Sequence, residues 1–230
     1  MLKKFCSEPK IAGENLFKVA DYLVVGESIP GGTTTALGVL LAMSIDAKGK
    51  VGSSTPNNPH ELKIRAVEKV LKAAKVEFGA LAKTDRGDIM CCRSYDTCLC
   101  WISPWSRHKV PVLMAGGTQM GTVLAVVKAF NPYILSNVAI GTTRWIKADK
   151  NADLKGIIAQ IADIPISAAD LDFSQSRYEG LKAYESGAVK EGMGAGESVI
   201  AAIAKSKGRI SKAALLKEIE RNYERLVVSG

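Results

Sequence analysis

Residues 22–35 read YLVVGESIPGGTTT, and their reading decides the fold. An apolar run, Tyr22–Val25, ends on Gly26. A loop then carries Glu27 and Gly31-Gly32, and Thr33–Met43 continues as an apolar helix. A short apolar run, glycine punctuation and then a helix make up the repeating unit of a parallel α/β sheet. The unit recurs at Val110–Ala115, where the Gly116-Gly117 turn leads into a helix from Gln119 to Phe130. Tyr133–Ile140 and Ile164–Leu171 are two further strand candidates. Helices are expected at Ser176–Ser186, Glu197–Ser206 and Ser211–Val227. The polar loop Ser53–Pro59 leads into a helix over Pro59–Ala74 whose apolar stripe is Leu62, Ala66, Val70 and Ala73. The expected fold is α/β: a three-layer, doubly wound, mainly parallel sheet with helices on both faces and a Rossmann-like core. Residues 1–207 form that core, and 208–230 a charged helix packed on it.

The chain has 230 residues, with apolar content sufficient for a large single core. Its formal charge of +8 permits an anionic partner. The basic residues are scattered along Lys63–Lys75 and Lys205–Arg225 without interleaved aromatics, which argues against nucleic acid. No apolar run approaches the roughly 20 residues of a membrane span, and no signal peptide opens the sequence. A soluble, cytoplasmic protein is expected. GxGxxG and Walker A motifs are both missing. The cysteines do not take zinc spacing, and His60 and His108 lie in no ligand-like pattern, so no metal site is expected.

The chemistry concentrates in the glycine loops. Glu27 stands beside Gly31-Gly32-Thr33-Thr34, and Glu191 opens the run Glu-Gly-Met-Gly-Ala-Gly at 191–196. Glycines let backbone N–H groups approach an anion at a helix N-terminus, and a desolvated carboxylate takes a proton from a nucleophile. In open α/β sheets such loops gather at the carboxyl ends of the strands, where ligands bind. An enzyme acting on a phosphorylated small molecule is the reading these residues favour.

The residues resemble those of the nicotinate-nucleotide:dimethylbenzimidazole phosphoribosyltransferase (CobT-type) family, and more closely an archaeal and cyanobacterial branch of it. The resemblance runs from about Glu14 to Ala204. Gly26-Glu27 with Pro30-Gly31-Gly32-Thr33-Thr34 resembles the family's substrate-cradling loop. Lys63, after Asn57-Asn58-Pro59, resembles its phosphate-binding lysine. Gly116-Gly117-Thr118-Gln119 resembles the turn beside the ribose phosphate, with Gln119 in place of glutamate. Glu191-Gly192-Met193-Gly194-Ala195 resembles the motif that carries the proposed general base. The family's Asp-Gly-Phe has no counterpart; Ser136-Asn137 or Gly141-Thr142 occupies that stretch. The family also has a further N-terminal third. The resemblance implies transfer of phosphoribose from nicotinate mononucleotide to an aromatic base. It further implies no metal or organic cofactor, and a homodimer.

Each assignment has a plainer counterpart. Glu191 can be a surface carboxylate before a helix, the threonines can be N-caps, and Lys63 can be one solvated lysine among many. Asp170 and Asp172 suit either ribose hydroxyls or strand-end caps. Arg144 suits either a carboxylate ligand or a salt bridge. The stretch Cys91–Lys109 holds four of the five cysteines and matches no family pattern. Permitted codons for it, shifted forward by one base, read AAGVMTPAYAGLVHGAGTK, which suggests a compensated frameshift.

Overall fold

The computed structural model describes residues 2–27, 31–53, 56–82, 110–188, 190, 192 and 194–228. The stretch Cys91–Lys109, with its frameshift reading, lies outside them, as does Glu191. Helix α1 (Leu2–Val19) leads to strand β1 (Leu23–Gly26) and helices α2 (Gly32–Ala42) and α3 (His60–Ala74). Strand β2 (Val112–Ala115) is followed by α4 (Thr118–Phe130), and β3 (Val138–Thr143) by α5 (Arg144–Lys147) and α6 (Leu154–Ile161). After β4 (Ile166–Ala169) come α7 (Glu179–Lys182), α8 (Gly194–Lys205) and α9 (Lys212–Tyr223), the last running into a π-helical turn at Glu224–Val228.

The sheet is parallel throughout, in the order β1-β2-β3-β4, with Gly26 level with Ala115 and Ala115 level with Gly141. Neighbouring strands are consecutive in the chain, so right-handed crossovers place their helices on one face. There Leu37 and Leu40 of α2, Met120 and Leu124 of α4, and Ile157 and Ile158 of α6 form the first core. The other face carries α8, which packs across all four strands. Its Val199 joins Trp145, Ala169, Leu171, Phe173 and Leu181 in a second core, flanked by Leu215, Leu216 and Ile219 of α9. The result is the expected three-layer α/β fold. Gly196 seats α8 directly on β3: a Cβ there would lie 2.7 Å from the carbonyl carbon and oxygen of Thr142.

Three details depart from expectation. On α3 the apolar stripe is not the buried face: Leu62 and Val70 are 61% and 64% exposed, while Val67 and Lys63 are buried. Val67 fits against Gly38 of α2, where a Cβ would meet its methyls at 3.6 Å, and this turns Lys63, one turn earlier, inward. Tyr133–Ile140 is not one strand. Asn131 caps a 3-10 turn over Pro132–Asn137 by accepting from Tyr133 N, so β3 begins at Val138. In Ser176–Ser186 only Glu179–Lys182 is α-helical, because Ser176 Oγ and Arg177 N both donate to Glu220 of α9. Helices α1, α5 and α6 are additions to the expected set.

Candidate functional site at the carboxyl edge of the sheet

Glu27 follows β1 and Gly116-Gly117 follows β2, so both stand at the carboxyl edge. Gln119 Nε2 donates to Glu27 Oε1 at 2.7 Å. Gly116 fits closely between its neighbours: a Cβ there would come within 3.0 Å of Met120 Cγ and 3.8 Å of Glu27 Oε1. Gly31 caps α2 in the left-handed region (φ 71°), a conformation that favours glycine, and Gly32, Thr33 and Thr34 make the first turn. The cap is therefore Gly31 rather than a threonine. Gly192 packs on the same edge, where a Cβ would meet the Gly116 backbone and Thr142 Oγ1, all at 3.0 Å. Gly194 opens α8. Thr142 Oγ1 and Gln119 Oε1 are buried there with no hydrogen-bond partner among the described residues. Buried polar atoms left open are costly, and ligand sites are one place where they occur.

Beside this edge lies a buried cationic cluster. Lys63 is 4% exposed, and its Nζ donates to two carbonyls, Val51 O at 3.0 Å and Gly52 O at 2.7 Å. Lys190 Nζ donates to Asp149 Oδ2 at 2.7 Å and Pro56 O at 3.2 Å, and this ion pair is almost wholly buried. Asn58 ties the groups together, donating to Asp149 Oδ2 and Asn151 O and accepting from Ser53 N and Oγ. Gly52 N donates to Thr118 Oγ1 at 3.0 Å, which joins the cluster to the start of α4. Burial, and next the neighbouring Lys190 charge, push the Lys63 ammonium down to about 8. Burial pushes the Asp149 carboxyl up, but hydrogen bonds from Lys190, Asn151 and Asn58 outweigh it and hold the carboxyl below its usual range. Two ammoniums face one carboxylate, and Lys63 bonds carbonyls only. The local chemistry calls for an anion.

The sign of the Lys63 shift gives a stability prediction. Between about 8 and its ordinary 10.5 the unfolded chain holds a proton that the folded chain has released. Stability contributed through Lys63 therefore rises with pH in that window. At roughly 1.4 kcal/mol per unit, the expected gain from pH 8 to 9.5 is about 1.5 kcal/mol. Urea denaturation at the two pH values reads it, and Lys63→Met loses the gain.

Arg144, Asp170 and Asp172 have other roles. Arg144 pairs with Glu185 and, at 3.8 Å, with Asp172, and it lies over the Trp145 ring. That is the salt-bridge alternative. Asp172 caps the strand end by accepting from Ser174 N, and Asp170 pairs with Lys212. Lys190, Asp149 and Thr118 were not among the residues expected for the site.

No protein-family model matches the chain. It is 43% identical over 218 residues to a UPF0284 protein of Sulfolobus acidocaldarius, covering 94% of this chain and 60% of that relative. To a UPF0284 protein of Methanocaldococcus jannaschii it is 46% identical over 191 residues, covering 81% and 53%. A UPF0284 protein of Methanopyrus kandleri is 39% identical over 220 residues, 94% of this chain and 56% of that one. The chain is similar to the UPF0284 proteins of archaea. It spans between 53% and 60% of the length of these UPF0284 relatives. None of their names carries a phosphoribosyltransferase activity. No helix among the described residues is long and apolar enough to cross a membrane. Helix α1 leaves Ile11 and Val19 57% and 82% exposed, and β1, which follows it, is an edge of the sheet among the described strands.

Proposed function

We propose that the chain transfers the phosphoribosyl group of nicotinate mononucleotide to a nitrogen of a benzimidazole-like base and releases nicotinate. The observation that carries this reading is Lys63, a buried ammonium that among the described residues bonds only carbonyls, beside the carboxyl edge of a parallel sheet. In this reading Lys63, with Gly31-Gly32, Gly116-Gly117 and the helix starts behind them, holds the 5′-phosphate. An unprotonated ring nitrogen of the base attacks the anomeric carbon, and the bond to nicotinate breaks. The electron pair of that bond returns to the pyridine nitrogen. The N–H proton of the attacking base passes to Glu191, so the product ring is neutral. This chemistry uses no metal or organic cofactor. The setting is cytoplasmic and the assembly a homodimer.

The exposed apolar side chains of α1 favour a second reading, in which the chain binds the donor but completes its acceptor pocket with further polypeptide. Calorimetric titration with nicotinate mononucleotide tests the first step of both. Saturable binding is expected, weakened about 10- to 100-fold in Lys63→Met, the loss of one charged hydrogen bond. A folded chain that does not bind removes the donor assignment. Binding without nicotinate release on adding 5,6-dimethylbenzimidazole selects the second reading.

A further inference from the structure

The Lys190–Asp149 pair is more elaborate than a loop anchor requires. Lys190 Nζ has three N–H groups, and the described residues take two, at Asp149 Oδ2 and Pro56 O. Lys63 Nζ likewise has two of three engaged, at Val51 O and Gly52 O. Val51, Gly52 and Pro56 thus hold both ammoniums through their carbonyls. Each lies near enough to act on the other through its charge, and among the described residues Asp149 is the carboxylate that acts on both. Two buried like charges held close by a scaffold are unfavourable, and Asp149 offsets only one of them.

We propose that Lys190 is the second ammonium of a two-lysine clamp, and that it and Lys63 each give one N–H to the same phosphomonoester dianion. This rests on the phosphate-binding part of the function proposed above and adds a residue to it. Asp149 is then a positioning residue. It holds Lys190 at the site and leaves the pair of lysines with one excess positive charge for the ligand. Asn58 and Asn151 fix the carboxylate in turn. A clamp of this kind selects a dianion over a monoanion, because each ammonium meets its own oxygen.

The probe is ribose 5-phosphate, titrated calorimetrically between pH 5.5 and 9.5. Four folded proteins are compared: wild type, Lys63→Met, Lys190→Arg, and the double variant Lys190→Met with Asp149→Asn. The double variant removes both charges of the Lys190–Asp149 pair, so neither is left without its partner. Wild-type affinity should rise as the phosphate takes its second charge near pH 6 and fall above about 8, where Lys63 loses its proton. The charged groups facing Lys63 are Lys190 and Asp149. Removing both charges should therefore carry the alkaline limb upward, since desolvation alone then acts on Lys63 and the repulsion from Lys190 is gone. At pH 7 the double variant should bind about 10- to 100-fold more weakly, and Lys190→Arg should retain most of the affinity. A merely structural Lys190 would move the alkaline limb in the same way through its charge but leave the affinity at pH 7 close to wild type. Wild-type affinity in the folded double variant, with loss in Lys63→Met, overturns the clamp and leaves the Lys63 site standing. No dependence on either lysine overturns both.

Discussion

Replacing Glu191 with glutamine lowers the rate of nicotinate release about 10²–10⁴-fold, the usual worth of a positioned general base. Affinity for nicotinate mononucleotide should stay close to wild type, because the donor is held through its phosphate and ribose. The neighbours of Glu191 in the chain are both anchored. Lys190 is held by the Asp149 carboxylate, and Gly192 by the Gly116 backbone and Thr142. Single-turnover release of nicotinate with 5,6-dimethylbenzimidazole measures it. An unchanged rate takes the role from Glu191, and Glu27, hydrogen-bonded to Gln119, becomes the next carboxylate to test.

The second large effect falls on stability. Asp149→Leu leaves the Lys190 ammonium buried with, among the described residues, only the Pro56 carbonyl, and it removes an acceptor of Asn58 and the acceptor of Asn151 N. Breaking a buried pair from one side costs about 3–5 kcal/mol, which for a chain of this size lowers the melting temperature by roughly 10 °C. Pairing the change with Lys190→Met should recover most of the loss, since neither half of the Lys190–Asp149 pair is then left alone. The acid limb follows from the lowered Asp149 pKa. The pair's contribution is complete above the unfolded value of 3.8 and disappears as pH falls through the lower folded value. The gap between wild type and Asp149→Leu should therefore close only below about pH 4. A loss under about 1 kcal/mol for Asp149→Leu would put the pair in the class of surface ion pairs.

The parallel sheet was legible because its strands are short apolar runs, and β1 and β2 stop at or just before a glycine, Gly26 and Gly116. Burial of the sheet between helix layers produces such unbroken runs. The glycine positions of the site were legible for the same reason: backbone meets backbone there, and sequence marks that with missing side chains. The face of α3 was not. Periodicity assigns a lysine to solvent, so Leu62, Ala66, Val70 and Ala73 outvoted Lys63 and Val67. Only the fit of Val67 on Gly38 decides otherwise. Lys190 and Asp149 were hidden by distance along the chain. They stand 41 residues apart, and Lys190 is 134 from Pro56, so no local spacing connects them. The short helix in Ser176–Ser186 was misjudged because Glu220, on a later helix, takes the donors that would have begun it.

The two cores divide the cationic cluster between them. Lys63 rides on α3, whose Val67 belongs to the first core, and Lys190 leads into α8, whose Val199 belongs to the second. Layers with separate cores can open separately, and amide exchange reports each opening with its own free energy. An anion gripped from both sides works as a rivet between the layers. Neither can then open without giving up the ligand's binding energy. With the site filled, the amides of α3 and α8 should exchange as one cooperative unit.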